Sequence, residues 1–434
     1  MFLAFDDTDS REGMCTTYLM AKFLSETGYS VIGFPRLVRL NPNIRYKTRG
    51  NGALCVRLGV NGSGKRVRIG AFNGMQIYAY ETAEEIPDTD ELMKTVLGFV
   101  KQYAETDDEN TNPGVVIMEH PPSTDLYWKA LSREVPMDEV EKLLHENGAT
   151  YAKIKNGRGI IGSAAAISWP MHSLTYECIS YRYPSYGHMD HERKVEVAEH
   201  VDSFPNTFNN IDRENDYAAI FPKEKTPVIY GIRSLNHEEL LEFSDNLDVA
   251  FQIRPEAKIL YVTNQGTDDH IVEDPQHIME LGSYSIEGRI THNPVVIPGG
   301  HYFATLRYRD SEISIAAFEP TKSFRRIFSA LRNGDLVRVY GSFVDGALHV
   351  EKMQIIDVSR RFIRAIPSCP ICGARMQTKG RDDFRCPSCG KKIRHPDYVE
   401  TKRNLHPGLY DVPVMSRRHL SKPFDMHYGK LVAQ

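Results

Sequence analysis

Nowhere in this chain do even about 18 apolar residues run uninterrupted, so no membrane-spanning helix is expected. The opening MFLAFDDTDS has no basic n-region and turns acidic at Asp6 before a long apolar h-region develops, which is not the pattern of a secretory leader. Cysteine is scarce and odd in number, seven in 434 residues, and four of the seven fall in two CxxC pairs. A disulfide framework fits that poorly, and metal binding in a reducing compartment fits it well. Internal repeats and low-complexity tracts are missing too. So is GxxxxGK[ST], which excludes a Walker-type phosphate loop. A soluble, cytoplasmic protein without a membrane partner is the expectation.

The composition, 41% apolar and 25% charged, is that of a globular chain, and 434 residues exceed one ordinary core, so two to four domains are expected. The net charge of −4 hides a polarity. From Ser359 to Gln434 there are 16 Lys plus Arg against 6 Asp plus Glu, a net of +10, leaving −14 for residues 1–358. A basic end on an acidic body suits a polyanion held at one end and processed elsewhere.

Hydrophobic periodicity divides the chain further. Residues 1–147 read as an α/β unit: strand MFLAF, acidic turn DDTDS, helix TTYLMAKFLSETG, strands SVIGFPRLVRL and GALCVRLGV around the loop NPNIRYKTRGNG, then helix, strand and two more helices. Residues 148–275 follow the order βαββαβ, from YAKIK through RGIIGSAAAIS to ILYVTNQ, which is the ferredoxin-like order. The polar stretch of residues 184–227 inside it is too long for a hairpin and suits functional loops. Residues 280–358 hold five short period-2 strands with a helical FRRIFSALRNG between the third and fourth, the pattern of an OB barrel. A cysteine module at 364–394 and a basic tail at 395–434 complete a multidomain α+β chain.

Cys369, Cys372, Cys386 and Cys389 carry the strongest local signal. Two CxxC knuckles thirteen residues apart close a tetrahedral thiolate cage on zinc, with no position left for a substrate. The lone Cys15, Cys55 and Cys178 read as small buried hydrophobes. Asp6, Asp7 and Asp9 crowd three carboxylates after a strand, where Mg²⁺ and, through it, phosphates would relieve their repulsion; a solvated acidic turn is the plainer alternative. Thr16 and Thr17 open the next helix, whose free amides favour phosphate. Arg45, Lys47 and Arg49, with Gly50 and Gly52, suit a phosphate clamp. Asp268 and Asp269 suit a cationic small substrate, or serve only as caps. On the barrel, Phe303, Tyr308, Phe318 and Phe324 interleave with Arg307, Arg309, Lys322, Arg325 and Arg326 as in single-strand binders, although half of these aromatics must fill the core. Arg417, Arg418, His419 and Lys422 in SRRHLSKPF read as phosphate contacts or as a solvated end.

Taken together, FLAFDDTDS, REGMCTTYL, VIGFPRLVRLNPNIRYKTRGNGA, the TNPG segment, GRGIIG, YRYP, YGIRS, TNQGTDDH, AAFEPTKSFR, the zinc knuckles and SRRHLSKPF resemble one family nearly end to end. It is the archaeal tRNA 2-agmatinylcytidine synthetases, which act on the isoleucine tRNA with anticodon CAU. The resemblance implies a kinase-like domain, a ferredoxin-like domain, an OB fold and a zinc ribbon. It also implies ATP-dependent phosphorylation of carbon 2 of the wobble cytosine and displacement of the phosphate by agmatine, with tRNA, ATP and agmatine as partners. Asp6, Asp7 and Asp9 would then hold metal and ATP phosphates, Asp7 the magnesium, and Thr16 would be phosphorylated. Agmatine is a dication that Asp268 and Asp269 would neutralise. Two other readings remain: a non-catalytic RNA-binding protein, and an ATP-dependent nuclease or ligase.

Overall fold

A computed structural model describes residues 1–183, 189–222 and 225–428. The chain runs β1 (Phe2–Asp6), α1 (Thr16–Glu26), β2 (Ser30–Ile32), β3 (Arg36–Arg39), β4 (Gly52–Phe72), β5 (Met75–Glu84), α2 (Thr89–Tyr103), β6 (Gly114–Met118), α3 (Asp125–Ser132), α4 (Met137–Glu146), β7 (Thr150–Lys153), α5 (Gly159–Ile167) and β8 (Thr175–Tyr181). It continues with α6 (His191–Asp202), the two-residue strands β9 (Ile211–Asp212) and β10 (Tyr217–Ala218), β11 (Val228–Ser234), α7 (Leu240–Ala250) and β12 (Ala257–Thr263).

Alternation in β1 sets the layers. Leu3 and Phe5 enter one core with Leu19, Phe23 and Val96 of α1 and α2, while Phe2 and Ala4 enter another with Leu126, Val140 and Ala164 of α3, α4 and α5. A strand buried on both faces belongs inside a sheet, and β1 pairs antiparallel with both β4 and β6. The mixed sheet has ten strands, ordered β11-β8-β12-β3-β4-β1-β6-β7, with β2 and β5 paired to β4.

Two expectations change here. YAKIK does not start the ferredoxin-like unit: β7 pairs with β6, Ala152 opposite Val115, at the far edge of the sheet. Nor are residues 1–147 and 148–275 separate cores, because β12 bonds β3 in parallel and β4 antiparallel. In addition, GALCVRLGV is only the first part of a 21-residue strand that forms a long hairpin with β5.

Residues 283–357 form the closed barrel that the pattern predicts. Strands β14 (Ser283–Ile297), β15 (His301–Tyr308), β16 (Ser311–Ala317), β17 (Leu336–Val344) and β18 (Ala347–Asp357) close through β14–β17 and the parallel β16–β18 contact; the short β13 (Ile271–Glu273) adds to β14. Helix α8 (Phe324–Ser329) plugs it, burying Phe324 and Phe328 among Ile286, Leu306 and Val339. Tyr308 is buried as well. Thus two of the four aromatics singled out above are core residues.

Beyond the barrel, β19 (Arg361–Ala365) and β23 (Asp397–Thr401) form a two-stranded arm. The arm carries the cysteine module, a small sheet of β20 (Gln377–Thr378), β21 (Phe384–Arg385) and β22 (Lys392–Ile393). Residues 395–428 are not a free basic tail. β24 (Gly408–Asp411) adds to the barrel beside β18, and residues 412–424 run back across the molecule as a strap. Half-buried Arg403 clamps buried Asp335 with both guanidinium ends on the way.

Candidate active site

A cavity of about 670 Å³ opens where β1, β3, α1, α5, β8 and β11 meet, a volume suited to a nucleotide-sized ligand. Asp6 ends β1, and the left-handed φ of 61° at Asp7, a conformation Asp tolerates, turns the chain into the cavity. Helix α5 comes close to this turn because two residues lack side chains. A methyl group on Gly159 would lie 2.5 Å from the Asp6 carbonyl, and one on Gly162 would lie 1.9 Å from Asp6 Oδ2. This explains the second and third glycines of GRGIIG. Gly162→Ala is expected to push the Asp6 carboxylate aside and lower turnover by about 10²-fold, with little change in tRNA affinity, as measured by steady-state kinetics beside a binding titration.

The three carboxylates have different duties. Asp6 Oδ1 accepts the Asp7 amide at 2.7 Å, and Asp7 Oδ2 accepts the Asn112 amide at 3.0 Å, leaving each with one oxygen free of these bonds. Asp9 is spent: Thr48 Oγ1 donates to Oδ1 at 2.7 Å, and Arg49 lies 3.6 Å from Oδ2. Asp9 therefore anchors the loop between β3 and β4 to the acidic turn. The three do not close on one point, unlike the four cysteines.

Burial drives Asp6 up to about 7; burial, with the neighbouring Asp6 charge, drives Asp7 up to about 8. Such carboxylates suit a hard divalent cation held through two protein oxygens and several waters. The sign of the linkage is definite. Both folded values lie above the unfolded carboxyl value of about 3.9, so the stability they contribute is complete below that value and is lost as pH rises through 7 and 8. The melting temperature of metal-free protein should fall between about pH 5 and 8, and Mg²⁺ should raise it more at pH 8 than at pH 5. A Mg²⁺ effect that ignores pH would remove Asp6 and Asp7 as ligands.

Cys15, Thr16 and Thr17 bring the start of α1 to the cavity, with Thr8 Oγ1 donating to Thr16 Oγ1 at 3.2 Å. Cys55 and Cys178 are buried as expected, whereas Cys15 is half-buried and lines the cavity. Of the predicted clamp, Lys47, Arg49 and Gly50 line the cavity and Arg45 is exposed outside it. Arg49 also donates to the Gly13 and Met14 carbonyls.

Pattern reading missed Arg39, Arg158 and Arg233, which also line the cavity. Arg39 and Arg233 sit on strands, where a charge between apolar residues reads as the solvent side, yet this stretch of the sheet faces the cavity. Part of the polar stretch 184–227 does serve the site: Tyr217, Ile220 and Phe221 form cavity wall, while residues 184–188 and 223–224 lie outside the described residues.

Asp268 and Asp269 do not line the cavity. Asp268 accepts from buried Lys352 of the barrel and from the Lys422 amide, and Asp269 accepts from Tyr127 at 2.6 Å. A carboxylate already facing a buried ammonium has little left for a second cation. The strap residues are tied down by side-chain contacts: half-buried Arg417 bonds Asn209 and half-buried Arg418 bonds Asn43 and Ser342, while His419 is exposed and faces the cavity. They tie the strap to the sheet and barrel instead of forming a solvated basic run.

The four cysteine sulfurs lie 3.4–3.7 Å apart where they touch, close to the edge of a tetrahedron with metal–sulfur bonds of about 2.3 Å. Zinc fits that cage. Gly373 and Gly390 adopt φ of 71° and 74° and let each knuckle close.

A protein of Thermoplasma volcanium, the isoleucine-tRNA 2-agmatinylcytidine synthetase TiaS, is 50% identical over 98% of this chain and 97% of its own. This chain belongs to the TiaS family. A TiaS of Archaeoglobus fulgidus is 37% identical over 98% of the chain and 96% of its own. Family models match residues 2–156 as the TiaS TCKD domain, 157–270 as the TiaS FLD domain and 366–405 as the TiaS C-terminal zinc ribbon domain. The first limit falls after β7, in keeping with the pairing of that strand. A crystal structure of TiaS in complex with its isoleucine tRNA and ATP aligns with a TM-score of 0.81 at 34% identity, over 97% of this chain and 96% of that one. A complex of TiaS with the same tRNA, AMPCPP and agmatine aligns at 0.78 and 32%, over 97% and 96%. Among the described residues no helix is long and apolar enough to cross a membrane.

Proposed function

We propose that this TiaS protein is a cytoplasmic ATP-dependent ligase that joins agmatine to carbon 2 of the wobble cytosine in the isoleucine tRNA with anticodon CAU. The observation that carries the reading is end-to-end kinship with named synthetases, joined to a cavity in which paired acids, a helix start and a ring of cations converge.

The division of labour follows from chemistry. Lys47, Arg39, Arg158 and Arg233 offer the positive charge that a triphosphate needs, and the open amides at the start of α1 add donors. Asp6 and Asp7 would hold Mg²⁺, which when bound neutralises phosphate charge. Thr16 lines the cavity wall, and its hydroxyl would receive a phosphoryl group, as the resemblance implies. A cytosine carbonyl at carbon 2 is a poor electrophile; phosphorylating its oxygen turns it into a leaving group. The wobble base must leave its stack to enter the cavity, at a cost of a few kcal/mol that contacts elsewhere on the tRNA offset.

Mass spectrometry of the wobble nucleoside after incubation with the CAU tRNA, ATP, Mg²⁺ and agmatine tests this. Agmatidine is the expected product. An unmodified cytidine with tRNA still bound would leave the non-catalytic RNA-binding reading.

A further inference from the structure

Conjugation with an amine requires a proton acceptor. Among the residues lining the cavity one is a histidine, His419, and it comes from the strap. Backbone bonds hold it and the residue after it: the Gly266 amide donates to the His419 carbonyl at 2.8 Å and the Asp268 amide to the Leu420 carbonyl at 2.9 Å.

Its tautomer is determined by neighbours. The Glu177 carboxylate only accepts, so Gln265 turns its Nε2 amide toward it. The Gln265 Oε1 then faces Arg233 Nε at 3.2 Å and His419 Nδ1 at 2.8 Å. An amide oxygen only accepts, so Nδ1 carries the imidazole hydrogen and Nε2 keeps a bare lone pair. Nε2 lies beside Gly50, where an added methyl would stand 3.3 Å away, and Gly50 is itself a cavity residue.

The charges around the ring come from several elements: Arg39 on β3, Arg233 on β11, Lys47 on the loop before β4 and, behind Gln265, Glu177 on β8. The positive charges of Arg39 above all, and of Arg233 and Lys47, hold His419 below the ordinary imidazole range, so the ring is neutral at pH 7.

We propose that His419 Nε2 is the base that takes the proton from the agmatine amine as that nitrogen bonds to carbon 2 of the wobble cytosine. This rests on the function proposed above. The amine lone pair forms the new C–N bond. The C–O bond to the phosphate breaks, and its electron pair leaves with the phosphate. The proton shed by the now positive nitrogen passes to Nε2 and later to solvent, with no change of oxidation state. The cations that keep His419 neutral also favour a neutral nucleophile, because an ammonium among Arg39, Arg233 and Lys47 gives up its proton more readily. A phosphate arriving in the same cavity offsets those cations and makes Nε2 more basic when the electrophile is in place.

The experiment separates the two half-reactions in full-length His419→Gln. tRNA-dependent ATP consumption without agmatine should stay within about 3-fold of wild type, which also reports a folded cavity, while agmatidine formation falls about 10²–10⁴-fold. A primary amine of lower basicity needs less help losing its proton, so with it the deficit of the variant should shrink at least about 10-fold. Equal loss in both half-reactions, or a deficit that ignores amine basicity, overturns the assignment. A wild-type enzyme that consumes ATP and incorporates no agmatine overturns the parent function instead, and this step with it.

Discussion

Asp7→Ala should lower agmatidine formation by about 10³-fold while tRNA affinity changes by no more than about 2-fold. Asp7 is one of two half-buried carboxylates whose raised values show how poorly the protein alone supports their charge. Removing it removes a ligand for the cation expected to neutralise the transferring phosphoryl group, a contribution made chiefly in the transition state. Asp7→Asn is the sharper comparison. The amide oxygen can still accept from the Asn112 amide, so the loop stays in place and only the charge is lost. Both variants should fail alike by product mass spectrometry, with matching filter-binding curves. A normal rate for Asp7→Asn would reduce Asp7 to a loop anchor.

Deleting residues 415–434 has the second large effect, and stability shows it first. Leu420 and Phe424 are 2% and 8% exposed, and losing the burial of two such side chains costs about 3–6 kcal/mol. Their loss also strips Lys352 of the Lys422 carbonyl, Asp268 of the Lys422 amide and Ser342 of Arg418, adding about 1 kcal/mol for each hydrogen bond. The sum is a large part of the ~5–15 kcal/mol that stabilises a typical protein. Denaturant unfolding should show an earlier transition for the ferredoxin-like and barrel regions, and agmatidine formation should be lost. An unchanged midpoint with weaker, less salt-sensitive tRNA binding would restore the tail to the solvent-exposed basic role that its composition suggests.

Local chemistry made much of this legible. MFLAF followed by DDTDS placed Asp6 and Asp7 at a strand end, CxxC spacing placed the zinc cage, and period-2 runs gave the barrel with its helix in the right gap. What failed was long-range. YAKIK is a strand by pattern, but pattern carries no partner, and it pairs with β6. The hairpin of β4 and β5 escaped notice because its outer half, NGSGKR, is exposed and lacks apolar alternation. Arg39 and Arg233 looked like outward charges on strands. Arg418 looked like part of a solvated run, because composition does not reveal that Ser342 and Asn43 wait for it 76 and 375 residues away.

The strap has a consequence for how the protein is made. A ribosome delivers the acidic turn long before His419, and domains fold in that order as they emerge. The nascent sheet can form with its cavity missing a wall. Residues 416–424 can be laid across sheet and barrel only once the barrel and the zinc ribbon have also been synthesised, so the site is completed after every domain that surrounds it.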